Sequence, residues 1–464
     1  MPFSFIRYIT PAWYFRLPPA GDHAYFPDYD ALQPEQQALI DFSAFGKSSG
    51  GYKTRNAAVR DAAYQAWRKG FVLESSFPSI PFNEPIEAIE DNYRFVRRFF
   101  HPLWSWYILG LRLLTLHQPI REIFGFWNQR NTVRINVYEK VFPRPIPADD
   151  TVSFPFISVI IPTLNRYDYL KAALQDLEQQ DYPHFEVIVV DQSAPFREDF
   201  YNDFQLNLRV LHQEEKALWR ARNRAIEEAR ANLLLFFDDD SRVAKDWIRQ
   251  HWYGLNHFHS DISSGVSISA VGSRPPVHYS FFRWSDQLDT GNVLIKRAVF
   301  EEIGLFDRQF ERQRMGDSEF GLRAYLAGFR NISNPEAVRL HLKAAEGGLR
   351  QMGSWDGFRP TRWYAPRPVP SVLYLVRKYF GNRAALTMLS FHVPASVADY
   401  KHKSRYHLPL EGLKFLLLIP VLSIQVIISW RRSTDMLKEK YAGIRFPSRR
   451  VSTPKADTSQ YRPT

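Results

Sequence analysis

Residues 156–170, FISVIIPTLNRYDYL, hold an apolar run over 156–163, then a polar turn, then the start of a helix at Asp168. A run this short and this rich in Val and Ile reads as a buried strand. The pattern recurs downstream: FEVIVVDQ at 185–192 and LLLFFDDD at 233–240 read as two more strands, and 168–180 and 217–230 as helices. Strands alternating with amphipathic helices predict an α/β fold, a mostly parallel sheet flanked by helices.

Outward from this core the chain divides into four. Residues 1–152 form an N-terminal, mainly helical module, with helical patterns around 55–70 and 91–100 and an apolar run at 102–117 broken only by Arg112. It ends in FPRPIPADD at 142–150, a Pro-rich linker. The catalytic candidate is 153–350. Residues 351–432 contain an amphipathic stretch at 371–394 and FLLLIPVLSIQVIISW at 415–430, which is uncharged over 16 residues. As a helix this run covers about 24 Å, short of a hydrocarbon core of about 30 Å. Pro420 lies inside it, with Lys414 before it and Arg431 and Arg432 behind. An interfacial or re-entrant helix is the first expectation, a single span the second and a buried core helix the third. Residues 433–464 are polar and basic and are expected to form a disordered tail.

Composition narrows the partners. The 464 residues carry 60 basic and 49 acidic groups, a formal charge of +11. Excess positive charge attracts anionic partners. With no helix-turn-helix, zinc-finger or RNP-like signature, an anionic membrane surface is expected and nucleic acid is not. There are no cysteines, which excludes disulfides and cysteine-ligated zinc. The opening MPFSFIRYITPAWYF lacks the charged-then-apolar order of a secretory signal, so the cytoplasm or the cytoplasmic face of a membrane is expected.

Asp238-Asp239-Asp240 closes the third strand. Three adjacent carboxylates after an apolar strand are costly unless a cation offsets them, and Mg2+ or Mn2+ takes oxygen ligands of this kind. Ligands of open α/β sheets bind beyond the carboxyl ends of the strands, where the triplet falls. The alternative is a solvated loop capping a following helix, with Asp240 or Ser241 as N-cap. The first strand ends in Pro162-Thr163-Leu164-Asn165-Arg166 and the second in Asp191-Gln192-Ser193, polar turns suited to a nucleotide or to ordinary helix capping.

These runs, with ARNRAIEEA at 221–229, resemble in order and spacing the inverting family 2 glycosyltransferases of the GT-A fold. TGNVLIKRAVFEEIGLFD at 290–307 is similar to that family's acceptor-side segment, and GDSEFGLRAYLAGFRNI at 316–332 to its catalytic-base segment. The resemblance spans about 155 to 345 and implies roles by position. Pro162, Thr163, Asn165 and Arg166 would line the nucleotide pocket, and Asp191 would contact the base. Arg222 and Asn223 would face the nucleotide or diphosphate. Asp238 would sit near the ribose, and Asp240 would ligate a divalent metal, with Asp239 between them. Gly291 and Asn292 would lie near the transferred sugar and acceptor. Asp317 would be the general base, with Glu319 competing, and His341 an auxiliary metal or phosphate contact. The C-terminal segment looks like the membrane-seated ends of relatives that build bacterial surface polysaccharides, which implies a lipid-linked glycan acceptor at the cytoplasmic face of the inner membrane. Oligomeric state is not legible.

The sequence also departs from the family pattern. Gly316 stands where Glu is frequent, Gln192 where Asp is common, and Ser241 where some relatives have a further carboxylate. A sugar nucleotidyltransferase, the nearest rival, calls for a Gly-rich basic loop after the first strand, and Pro162-Thr163-Leu164-Asn165 is not one. A non-catalytic scaffold for a nucleotide sugar or lipid is the rival from another class. An NAD-linked oxidoreductase is not expected, because no GxGxxG follows the first strand.

Overall fold

The computed structural model describes residues 3–9, 26–41, 51–73, 77–79, 88–142, 153–271, 274–285, 287–344, 356–360, 362–397 and 408–439. The N-terminal part holds α1 (Pro34–Gln37), α2 (Arg55–Arg68), α3 (Ile89–Phe99), α4 (Pro102–Leu114) and α5 (Pro119–Asn128). The alternating region follows as β1 (Ile157–Thr163), α6 (Tyr167–Glu178), β2 (Phe185–Asp191), β3 (Leu208–His212), α7 (Leu218–Glu228), β4 (Leu233–Phe237) and β5 (Ser241–Val243). It continues through α8 (Trp247–His257), β6 (Ile262–Ser269), β7 (Arg283–Trp284), β8 (Asn292–Lys296), α9 (Arg297–Ile303), α10 (Gly316–Leu326) and β9 (Asn331–His341). Two long helices close the described chain, α11 (Pro370–Ala395) and α12 (Leu408–Lys438).

The strands form one sheet in the order β3-β2-β1-β4-β8-β6-β9-β5, with β7 also paired to β9. The expected parallel arrangement holds from β3 to β4. β8 then enters antiparallel to both β4 and β6, so the sheet as a whole is mixed. Alternation along the strands feeds two cores, because successive side chains point to opposite faces. Val159, Ile161, Val187, Val189 and Leu235 pack with α6 and α8, and Ile160, Ile188, Val190, Leu234 and Phe236 pack with α7, α9, α10 and α11.

The N-terminal helices are joined to this body. Phe3, Trp67 and Phe95 share a buried cluster with Phe282, Trp284 and Ile332 on the β7–β9 side. The expected linker at 142–150 lies outside the described residues from 143 onward. The amphipathic stretch at 371–394, expected at a membrane, is α11, and its segment Val372–Val376 lies in the protein core. α12 is different: it is long and apolar enough to cross a membrane, and only 17% of its apolar window is buried. It also runs past the expected boundary at 432, so residues 433–438 are helical rather than tail. Residues 440–464 lie outside the described part.

Candidate functional site

Parallel pairing puts the ends of β1, β2 and β4 on one edge of the sheet, with Thr163 opposite Asp191. The triplet leaves β4 at this edge. It is followed by the short strand β5, not by a helix, so the helix-capping alternative falls. β5 pairs antiparallel with β9, setting Ser241 opposite His341. That register brings His341 Nε2 within 3.2 Å of Asp240 Oδ1.

Each carboxylate of the triplet has different partners. Asp238 is held by two buried arginines, Arg222 Nη2 at 2.9 Å and Arg339 Nη1 at 2.9 Å. Asp239 accepts from Thr163 Oγ1 at 2.8 Å and from Arg166 Nη1 at 3.2 Å. Asp240 accepts from Arg166 Nη1 at 3.2 Å and from the Ala344 N–H at 3.1 Å. Burial, with the charges of Asp240 and Asp238, pushes Asp239 up to about 7 against the pull of Arg166 and Thr163. Burial also raises the Asp240 carboxyl, but the hydrogen bond and charge of His341 with that of Arg166 outweigh it and hold the group below the usual carboxylate range. One triplet therefore holds a protonatable and an ionised carboxyl side by side.

The turn before β8 links this cluster to Asp317. Asp289 pairs with Arg339 Nη2 at 2.8 Å and accepts from Ser267 Oγ at 2.8 Å. Thr290 Oγ1 donates to Asp317 Oδ1. Gly291 lies so close to Asp238 and Arg339 that a Cβ would stand 2.2 Å from atoms of both. Asp317 is half-buried in the first turn of α10, where the helix N-terminus favours a carboxylate. Glu319 is excluded as its competitor. It is fully buried, paired to Arg323 at 3.0 Å and Lys378 at 3.1 Å, and accepts from Tyr379 Oη at 2.6 Å. Those partners outweigh the effect of burial and hold it ionised. Gly316 has its own cause: a Cβ there would stand 2.1 Å from the ring of Trp219. A cleft of about 250 Å3 opens beside Asp289, lined by Ser264, Ser267, Tyr279, Ser285 and Gln287.

Several other residues assigned through the family resemblance make structural contacts of their own. Asn223 turns away from the triplet and clasps Phe306, donating to its carbonyl and accepting from its N–H, each at 2.9 Å. Asn292 is fully buried. Its amide donates to Val266 O at 3.1 Å and Ala337 O at 3.0 Å, and its carbonyl accepts from Trp247 Nε1 at 2.8 Å. β9 bulges opposite Gly265 and Val266, and the Asn292 amide satisfies carbonyls at that irregularity. Asp191 is fully buried beneath the edge, accepting from Tyr167 Oη at 2.7 Å, Tyr201 Oη at 2.8 Å and the Ser193 N–H at 2.8 Å. Pro162 is buried within β1, in register with Val190. Exposed Asn165, at φ 53°, ties β1 to the turn after β2 by accepting from the Ala194 N–H at 3.0 Å. Arg339 and Asp289 escaped the sequence reading. Arg339 is two residues before His341 and so shares its strand face.

The residues fit a divalent cation. Carboxylate oxygens of Asp238 and Asp240 and a ring nitrogen of His341 lie within 4.8 Å of one another. Oxygen donors suit Mg2+ and Mn2+, and an imidazole suits other divalent metals as well.

Residues 158–305, within the sheet region, match the family model for glycosyl transferase family 2. Among individual relatives, poly(ribitol-phosphate) beta-N-acetylglucosaminyltransferase TarS of Staphylococcus aureus is 31% identical over 112 residues, 23% of this chain and 20% of that protein. The chain thus spans about a fifth of that relative's length. A PGL/p-HBAD biosynthesis glycosyltransferase of Mycobacterium tuberculosis is 27% identical over 215 residues, 43% of this chain and 78% of the relative. Among solved structures, S. aureus TarS in complex with UDP-GlcNAc aligns at 19% identity and a TM-score of 0.36, covering 60% of this chain and 88% of that one. The mannosyltransferase PcManGT from Pyrobaculum calidifontis, with GDP-Man and Mn2+, aligns at 18% identity and a TM-score of 0.41, covering 72% and 99%.

Proposed function

We propose that this chain is an inverting glycosyltransferase that moves a sugar from a nucleoside-diphosphate donor to a hydroxyl of a lipid-linked glycan at the cytoplasmic face of a membrane, in surface polysaccharide synthesis. The observation that carries this reading is the turn 289–291, which joins the Asp238–Arg339 pair to Asp317 within three residues. A charge cluster suited to a diphosphate and a carboxylate suited to a hydroxyl are thus joined by one turn. The family 2 domain match supports the transferase class.

In this reading Asp317 takes the acceptor proton as the acceptor oxygen bonds to the anomeric carbon. The bond from that carbon to the diphosphate breaks on the opposite face, inverting its configuration. Thr290 orients the Asp317 carboxylate. A bound Mg2+ or Mn2+, held by Asp240, Asp238 and His341, would supply charge stabilisation for the departing diphosphate. Arg166 and Arg222 add fixed positive charge at the same edge. The serine- and glutamine-lined cleft beside Asp289 is the place for a hydroxyl-rich sugar unit.

A screen of nucleotide sugars with Mg2+ or Mn2+, reading nucleoside diphosphate release, tests the reaction class. Release with one donor and loss of it on chelation is expected. Donor binding by calorimetry without product from any donor would instead support a non-catalytic scaffold. A product of retained anomeric configuration would overturn the role of Asp317.

A further inference from the structure

Helices α4 and α5 form a hairpin whose inner side is fixed to the protein and whose outer side is apolar. On the inner side Glu122 is fully buried, paired to Arg112, and accepts from Tyr93 Oη at 2.8 Å. Trp104 stacks on Phe391 of α11 with ring centroids 4.0 Å apart, and Tyr107 Oη donates to Thr387 O at 2.8 Å. On the outer side Trp106, Leu114, Leu116, Ile120, Phe124 and Trp127 face solvent, with Leu114 84%, Leu116 82% and Ile120 69% exposed. Ile120, Phe124 and Trp127 recur at helical spacing, so they make one stripe. Leu116 occupies the tip at φ 52°, a left-handed conformation that a water-facing turn ordinarily fills with Gly or Asn.

We propose that this hairpin inserts into an anionic lipid bilayer and that, with α12, it seats the protein on the membrane. Two observations select lipid as the occupant. The first is charge. Between 102 and 134 the only acid is Glu122, which is buried and paired, while Arg121, Arg130 and Arg134 are exposed beside the apolar stripe. Arg130 lies over the Trp127 ring at 4.8 Å, the amphipathic pairing found where apolar chains meet headgroups. The second is continuity. α4 rests on residues 387–391 of α11, and Lys414 Nζ of α12 donates to Val397 O just beyond the end of α11. The exposed Leu413, Leu416 and Leu417 of α12 therefore lie toward the same end of α11 as the hairpin. Six large apolar side chains exposed on one hairpin mark an interaction site.

The test uses the full chain with vesicles containing phosphatidylglycerol, with and without brominated acyl chains. Bromine-dependent quenching of tryptophan is expected in the wild type and should fall by half or more in W106F/W127F, a change that keeps the apolar character. The triple variant L114S/L116S/F124S should lower vesicle partition by about tenfold, with added salt weakening the remainder. Equal bromine quenching in wild type and W106F/W127F overturns the proposal even where the triple variant does not fold. So does self-association in lipid-free buffer that L114S/L116S/F124S abolishes while vesicle binding stays unchanged, which would assign the face to a second copy. Neither readout depends on glycosyl transfer.

Discussion

Asn292→Ala separates a structural asparagine from a substrate contact. The side chain donates to Val266 O and Ala337 O and accepts from Trp247 Nε1 at 2.8 Å, with His251 Nε2 at 3.0 Å from the same oxygen. Alanine removes all of these in a fully buried place and leaves the four neighbouring groups without it. At about 1 kcal/mol net for each hydrogen bond the loss is about 4 kcal/mol, and unsatisfied buried partners add to it. With about 2–4 °C of midpoint shift per kcal/mol in a domain of this class, thermal unfolding should move down by about 10 °C. Differential scanning fluorimetry reads the shift, and the donor KM, taken at a temperature where the variant is folded, should stay within about twofold. A midpoint within about 2 °C of wild type, combined with a large loss in kcat/KM, would refute the structural assignment and return Asn292 to the sugar site.

Asp317→Asn should lower turnover by about a thousandfold while calorimetry finds donor binding within about twofold, since in the proposed reaction the lost group acts on the acceptor proton. Gly316→Ala sets a Cβ 2.1 Å from the Trp219 ring, so denaturant unfolding should show a loss of about 1–3 kcal/mol from overpacking. His251 is fully buried among neutral partners, and burial lowers it from its ordinary 6.5 to about 4. The unfolded chain then binds a proton that the folded one does not, so stability falls as pH drops from about 6.5 to about 4, by about 3 kcal/mol. His251→Gln should flatten that part of the stability profile, and an unchanged slope would reject the assignment.

The strands that organise the site were legible because short apolar runs ending in polar clusters carry a local signal. Read as 156–163, 185–192 and 233–240, they appear as β1, β2 and β4 with the polar clusters on one edge. What the sequence hid was long-range pairing. Asn223 and Asn292 look like site residues in their motifs, yet their partners, Phe306 and the β9 bulge at Ala337, lie 83 and 45 positions away. Arg339 was hidden for the same reason, since its partner Asp238 is 101 positions upstream. Alternation along β9 offered the one available signal, because His341 was already a candidate and Arg339 shares its face. Of the exposed face on α4 and α5 only the α4 part was visible, as an apolar run at 102–117; which side faced outward depended on the contact with α11.

The buried tie between Glu319 and Lys378 and Tyr379 has a geometric consequence. Glu319 is two residues beyond Asp317 on α10, and its partners are on α11, which also carries α12 and braces the hairpin. Asp317 is thereby tied to the first half of α11, which turns at Gly381 (φ 80°) into the half that braces the hairpin. With the hairpin seated in a bilayer, the carboxylate would stand at a set height above the lipid. In the proposed reaction acceptors would then be measured by length, and a chain whose free hydroxyl fell short of that height or overshot it would go unextended whatever its chemistry.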